Sequence, residues 1–348
     1  MERSLCKCGN VLFFESSVCV RCQRDVGWCT TCGKITSLEP HPQGGFTCNT
    51  KGCGAHVAKC ENYATYDVCN RTIPADKAEV GALCDYCRFN RTIPNLDAPD
   101  NKVMWARIEA AKRRVLYGFD RLGLVYGTAE DGVVPPLMFD FKTDGGDGKQ
   151  YRDVAGGEQV FTGHDNGVIT LNLKEADPVL REKSRVEFGE AHRTLVGHFR
   201  HEMGHYIWDV MVKGQREPEC VALFGDHNAV AYADALNAYY QNGPKADWPT
   251  AYVSGYATMH PWEDFAETFA NYLDLMATIE SARDGKMTSI KDEAKFDDLT
   301  AEYVRLGIVL NELNRGIGLI DFLPEVIVEP VKKKMAFVHS LTKLGKKR

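Results

Sequence analysis

The chain has 348 residues, 44% of them hydrophobic and 26% charged, with a formal net charge of −6. These are globular proportions, and the length suggests two or three domains. No apolar run approaches the ~18 residues a membrane span needs, and Met1 to Cys6 has no apolar signal core, so a cytoplasmic protein is expected.

Charge is unevenly spread. Residues 1–95 are net +2, residues 96–331 net −15, and residues 332–348 hold seven Lys/Arg and no acid. An acidic body makes nucleic acid an improbable partner.

Twelve of the 13 cysteines fall between Cys6 and Cys87. In a reducing compartment such a cluster points to metal rather than disulfides. They divide into three groups of four: Cys6, Cys8, Cys19 and Cys22; Cys29, Cys32, Cys48 and Cys53; Cys60, Cys69, Cys84 and Cys87. Paired thiolates followed by a second pair are the sequence form of a zinc ribbon. Cross-braced pairing and iron–sulfur ligation are alternatives from spacing alone. Gly9 and Gly33 suit knuckle turns, and His41 and His56 are spare ligands. A segment so poor in aliphatic side chains draws much of its folding free energy from metal. Three four-thiolate sites would turn its +2 into roughly −4, since each Zn²⁺ with four thiolates is net −2. A structural role or a protein partner is therefore expected of the ribbons.

Pro94 to Asp100 reads as a linker, and Asp100 or Asn101 as the cap of a helix running to about Leu122. Phe139 and Phe141 suggest a strand, Asp144 to Gly148 a turn, and Gly163 to Gly167 a second turn containing His164. Residues 168–173 read as a strand, a candidate edge for pairing with extended substrate.

The most informative stretch is His201-Glu202-Met203-Gly204-His205, an H-E-x-x-H motif. Leu195, Val196, Phe199, Met203, Tyr206, Ile207 and Val210 recur around it at helical spacing. Residues four apart share a helix face, so His201 and His205 present two imidazoles to one metal, with Glu202 beside it as general base. Asp209, four residues after His205, is a candidate acceptor for the other N–H of a ligating histidine. Cys220 reads as a small buried residue. A helix is expected from about Val230 to Tyr240, stopped by Asn242-Gly243-Pro244.

A zinc peptidase needs a third protein ligand and an open position. The three-histidine pattern is excluded: Trp208 stands where its glycine would be and Met211 where its last histidine would be. A downstream carboxylate remains. Glu263, Asp264 and Glu267 all lie on one helix opened by Pro261, with Glu263 and Glu267 on a common face. His198 and His260 flank the site.

Tyr256 together with Glu263-Asp264-Phe265-Ala266-Glu267 resembles the second metal helix of the anthrax lethal factor clan of gluzincins. The resemblance implies Glu263 as third ligand and Tyr256 as the donor to the developing oxyanion, leaving Glu267 to support a ligand. The whole chain also resembles a bacterial family with a zinc ribbon ahead of a zinc-binding metallopeptidase. That likeness rests on the cysteine pairs, Thr162-Gly163-His164, Gly197 to Glu202, and His260 to Asp264.

The expected fold is α+β: a zinc-ribbon region over residues 1–95, a zincin-like domain over 96–331, and a basic tail, dispensable for zinc, over 332–348. The expected cofactor is Zn²⁺, one catalytic and about three structural. The expected substrate is a peptide or protein, and the alternative reading is an adaptor whose zincin domain is not catalytic.

Overall fold

The computed structural model describes residues 3–143, 160, 162–187 and 194–344. The chain divides into two compact units. One comprises Met1–Arg113, Phe139–Phe161 and Leu171–Asp177; the other comprises Arg114–Met138, Thr162–Thr170 and Pro178–Arg348. The glycine-rich turn expected at 144–148 lies outside the described residues.

In the first unit, β1 (Ser4–Leu5) and β2 (Val11–Leu12) form a short hairpin. Strands β3 (Val26–Cys29), β4 (Lys34–Pro40), β5 (Phe46–Cys48), β6 (His56–Lys59) and β7 (Thr72–Pro74) follow as an antiparallel sheet in chain order. Trp28 N donates to Asn70 O at 2.7 Å and Thr72 Oγ1 to Trp28 O at 3.2 Å, which brings the end of the sheet back to its start. The core here is thin. Leu12, Val26 and Ile35 pack with Cys6 and Cys19, and Leu38 and Val57 with Cys29 and Cys48. The single turn α1 (Glu61–Ala64) and β8 (Asn90–Thr92) complete the cysteine region.

The unit does not stop at residue 95. The first half of α2 (Asn101–Leu122) completes its core with the fully buried Trp105 and Ile108. Arg113 Nη1 donates to Val68 O at 2.6 Å, and Asn90 Nδ2 to Glu109 Oε1 at 2.6 Å. β8 also pairs in parallel with β9 (Met138–Lys142). The physical reason is the shortage of aliphatic side chains before residue 95.

In the second unit, β10 (Gly163–Asp165) forms a hairpin with the start of β11 (Val168–Asn172). On its other side this hairpin accepts a bond from Met138 N to Gly167 O at 2.9 Å. β11, expected as an edge, is therefore an inner strand, and β10 is outermost in the sheet order. Its helices are α3 (Pro178–Glu187), α4 (Leu195–Ile207), α5 (Glu217–Phe224), α6 (Tyr232–Asn242), α7 (Pro261–Asp284), α8 (Phe296–Gly316) and α9 (Glu329–Leu341). α7 is the central one: Phe265, Phe269, Tyr272, Leu275 and Ile279 are fully buried, and α4, α5, α8 and α9 pack around it.

Residues 332–341, expected in a basic tail, belong to α9. Pro330 sits in its first turn, where the missing N–H has no intrahelical role. Val331, Met335, Phe337, Val338 and Leu341 are buried. Its lysines mask an apolar stripe at helical spacing, which a charge count does not see.

Candidate functional site

The three cysteine groups assemble as the spacing partitions them, each with its four sulfurs within 4.8 Å of one another. Sulfur separations include 3.6 Å for Cys6–Cys22, 3.7 Å for Cys8–Cys19, 3.9 Å for Cys29–Cys53, 3.8 Å for Cys32–Cys48 and 3.9 Å for Cys69–Cys84. Four thiolates at the ~2.3 Å of a zinc–sulfur bond stand about 3.8 Å apart along the edges of a tetrahedron, whereas a disulfide holds sulfurs about 2.05 Å apart. The groups fit zinc. Knuckle geometry agrees: Gly9 (φ 83°) donates to Cys6 O and Gly33 (φ 64°) to Cys29 O, both at 2.8 Å. The third site is the most enclosed, with Arg71 N donating to Cys69 Sγ and Cys84 N to Cys60 Sγ, each at 3.3 Å. His41 and His56, the spare candidates, stack on each other at 3.8 Å instead and join no group.

The fourth group is built on α4 and α7. Thr194 caps α4, its Oγ1 accepting from Gly197 N at 2.9 Å, while Phe199, Met203, Tyr206 and Ile207 bury one face completely. His260 caps α7 through its Nδ1, which accepts from Trp262 N at 3.1 Å, and Pro261 opens the helix. The two helices meet at Gly204, where a Cβ would lie 2.9 Å from Ala266 Cα. That approach leaves His201, His205 and Glu263 facing one point.

His201 Nε2 lies 3.0 Å from Glu263 Oε2, His205 Nε2 3.4 Å from Glu263 Oε1, and the two Nε2 atoms are 3.2 Å apart. A tetrahedron with ~2.0–2.1 Å bonds has edges of about 3.3–3.4 Å. Three lone-pair donors this close, with Glu263 only 1% and His205 3% exposed, fit a zinc ion. Burial alone would keep Glu263 protonated, yet the two imidazoles hold its pKa well below the usual carboxylate range. Burial likewise opposes charge on His201, but Glu263 and Glu267 raise it strongly. The pocket is thus poised for a cation.

Glu267, one turn beyond Glu263, accepts from His201 Nδ1 at 2.7 Å. This fixes the tautomer that frees Nε2. Asp264 turns away to Lys334 Nζ at 2.6 Å, so of the three carboxylates only Glu263 faces both imidazoles. Glu202, between the histidines on α4, is 8% exposed. Tyr256 stands with its ring centroid 6.1 Å from that of His201. Its pKa is raised by burial and by the Glu263 charge, so the phenol keeps its proton.

Asp209 does not reach His205. After Ile207 the helix widens into a π turn over Trp208–Val212, with Lys213 N bonded to Trp208 O at 2.9 Å. The i+5 bond breaks the register on which the expected stacking rests. Asp209 lies instead 3.9 Å from His164 Nε2, and His205 Nδ1 is buried without a hydrogen-bond partner among the described residues. His164, expected in a turn, lies in strand β10 just before the hairpin turn, its Nε2 accepting from Gly167 N at 3.0 Å; burial lowers its pKa to about 3. His198, half-buried on α4, joins no ligand group. Cys220 is buried, which pushes its thiol up to about 12.

Two further contributors have no sequence motif. Tyr232, at the start of α6, donates to Glu263 Oε1 at 2.9 Å and interacts with the Tyr256 hydroxyl. Ser254 Oγ donates to Glu267 Oε2 at 2.6 Å and accepts from Ala257 N at 3.1 Å, tying the Tyr256 turn to the His201–Glu267 pair. Trp262 lies against His205, ring centroids 3.8 Å apart.

Comparison with known proteins places a zinc-ribbon region ahead of a zinc-binding domain. Residues 4–98 match a zinc-ribbon domain. Uncharacterised proteins of Mycobacterium bovis and Mycobacterium tuberculosis are 33% identical over 344 residues, covering 96% of this chain and 93% of theirs. No solved structure matches. Residues 101–341, through the last residue of α9, match the family described as "putative zinc-binding metallo-peptidase", and to that metallo-peptidase family the chain belongs.

Proposed function

We propose that the protein is a zinc-dependent peptidase of the H-E-x-x-H type, with His201, His205 and Glu263 as metal ligands. The observation that carries this reading is the convergence of two Nε2 atoms and one carboxylate at 3.0–3.4 Å, with Glu202 on the same helix. A zinc ion held there supplies Lewis acidity, which lowers the pKa of water and polarises a peptide carbonyl. Glu202 takes the proton of the attacking water and returns it to the departing amine. Tyr256 donates to the carbonyl oxygen as negative charge develops on it. Glu267 orients His201, and Tyr232 holds the Glu263 carboxylate.

Full loading is four zinc ions, one at this centre and three in the cysteine sites, where metal stands in for the core that the first unit lacks. No disulfide joins the described cysteines, which suits a reducing, cytoplasmic setting. No described helix is long and apolar enough to cross a membrane.

The test is Glu202→Gln in the zinc-loaded full-length protein, scored on an unbiased peptide-library digest. The amide keeps the shape but cannot accept the proton, so cleavage falls ~10²–10⁴-fold while elemental analysis still finds all the zinc. Cleavage within about threefold of wild type refutes the general-base role. An adaptor would keep its partner binding without Glu202.

A further inference from the structure

Beyond His205 the ligand face of α4 runs on into the π turn, and there it opens into a cavity of about 440 Å³. Trp208 and Trp262 line it with Tyr232, His227 and Val230. Two of these are shared with the centre: Trp262 packs on the His205 ring, and Tyr232 bonds Glu263. Trp208 and His227 meet edge to face at 4.9 Å. The cavity's charges offset each other, since Asp209 Oδ1 lies 3.7 Å from Lys213 Nζ. β10, the outer strand, packs along α4, and its His164 stands 6.4 Å in ring centroid from both His205 and Trp262. A peptide extended along β10 would pass from the centre to this cavity.

We infer that the cavity is a substrate subsite that takes an aromatic side chain adjacent to the scissile bond. The inference rests on the peptidase reading for its placement. Its chemistry rests on the cavity alone: offset and edge-on partners for a ring, no net charge to favour an ionic side chain, and a volume in the range of small-ligand pockets, ample for a bulky ring. Val230 lines the cavity, is half-exposed and lies outside the catalytic machinery.

The test compares zinc-loaded protein with Val230→Trp, which puts an indole into the cavity lining in place of an isopropyl group. Two readouts are used: cleavage-site preference in a peptide library, and calorimetric binding of matched phenylalanine and alanine peptides to Glu202→Gln with and without Val230→Trp. Wild type should cut with an aromatic residue at one fixed position beside the bond. Val230→Trp should lower kcat/KM for such peptides on the order of 10- to 200-fold, the range for apolar pocket discrimination, while peptides with a small residue there are still cut. Cleavage without aromatic preference, or preference that survives Val230→Trp, overturns the subsite. If wild type cuts nothing, binding decides. Tighter binding of the phenylalanine peptide, abolished by Val230→Trp, sinks the peptidase reading and keeps the subsite; equal binding of both peptides overturns the subsite too.

Discussion

Lys334 on α9 should be a determinant of the metallopeptidase unit, although charge counting places it in a dispensable tail. Its side chain is buried, with Nζ 2.6 Å from Asp264 Oδ2 and 2.9 Å from Ala251 O, over the faces of Tyr252 at 4.2 Å and Phe224 at 5.6 Å. Asp264 is 1% exposed, and burial pushes its carboxyl up to about 6 even with the lysine beside it. Lys334→Met keeps the apolar stem and strands that carboxyl. Breaking a buried pair from one side costs ~3–5 kcal/mol. At ~2–4 °C per kcal/mol for a unit of this size, the transition of the larger unit should fall by ~6–20 °C in calorimetry of zinc-loaded protein. Asp264→Asn in the same chain should recover part of the loss, because the uncompensated charge is gone. Since Asp264 adjoins Glu263 and Ala251 leads into the Tyr256 segment, activity should fall more than stability alone explains. A Lys334→Met protein within 1 kcal/mol of wild type, or a double variant no better than the single, would refute the argument.

Other outcomes follow from the same geometry. Glu263→Ala should lower the zinc content after dialysis by one and leave the cysteine sites loaded, whereas Glu267→Ala should retain four zincs with catalytic affinity weakened ~10–100-fold, both read by elemental analysis and competition with a chelator. Gly204→Ala should push against the α7 backbone, since its Cβ would meet Ala266 Cα at 2.9 Å; overpacking of ~1–3 kcal/mol outweighs the ~1 kcal/mol gained in helix propensity, and thermal unfolding reads the net loss. Asp140 is buried, and Arg91, Lys142 and Thr92 hold its pKa below the usual range. A depressed carboxylate stabilises above its unfolded pKa of ~3.9 and loses that contribution as pH falls through the folded value. Asp140→Asn should therefore flatten the acid limb of stability below about pH 4, measured by denaturant titration at several pH values.

The cysteine sites were legible because ligation by paired thiolates is local: each knuckle is a turn of a few residues. His201, Glu202 and His205 were legible because one helix sets their spacing. Glu263 needed the resemblance, since three carboxylates share its helix and only packing shows that Asp264 faces Lys334. Tyr232 and Ser254 left no trace, being contacts across 31 and 13 residues made by tertiary placement. Asp209 misled because the π turn at Trp208 breaks the four-residue rule, and α9 misled because lysines flank its buried stripe.

The two kinds of metal site should therefore respond differently to chelation. In the first unit the cysteines are themselves part of the core, with Cys6 and Cys19 among Leu12, Val26 and Ile35. Stripping metal there leaves four thiols facing one another and little apolar packing to hold them. In the second unit α4 and α7 cross through Gly204 and Ala266, and Arg200 pairs with Asp274 along the same seam. Phe199, Met203, Phe265 and Phe269 are fully buried and none of them is a candidate ligand. That apolar packing should hold the two helices together when the ion is taken away. Removing the ion proposed at His201, His205 and Glu263 should therefore cost activity while α4 and α7 stay folded, and removing metal from the cysteine groups should unfold the region that holds them.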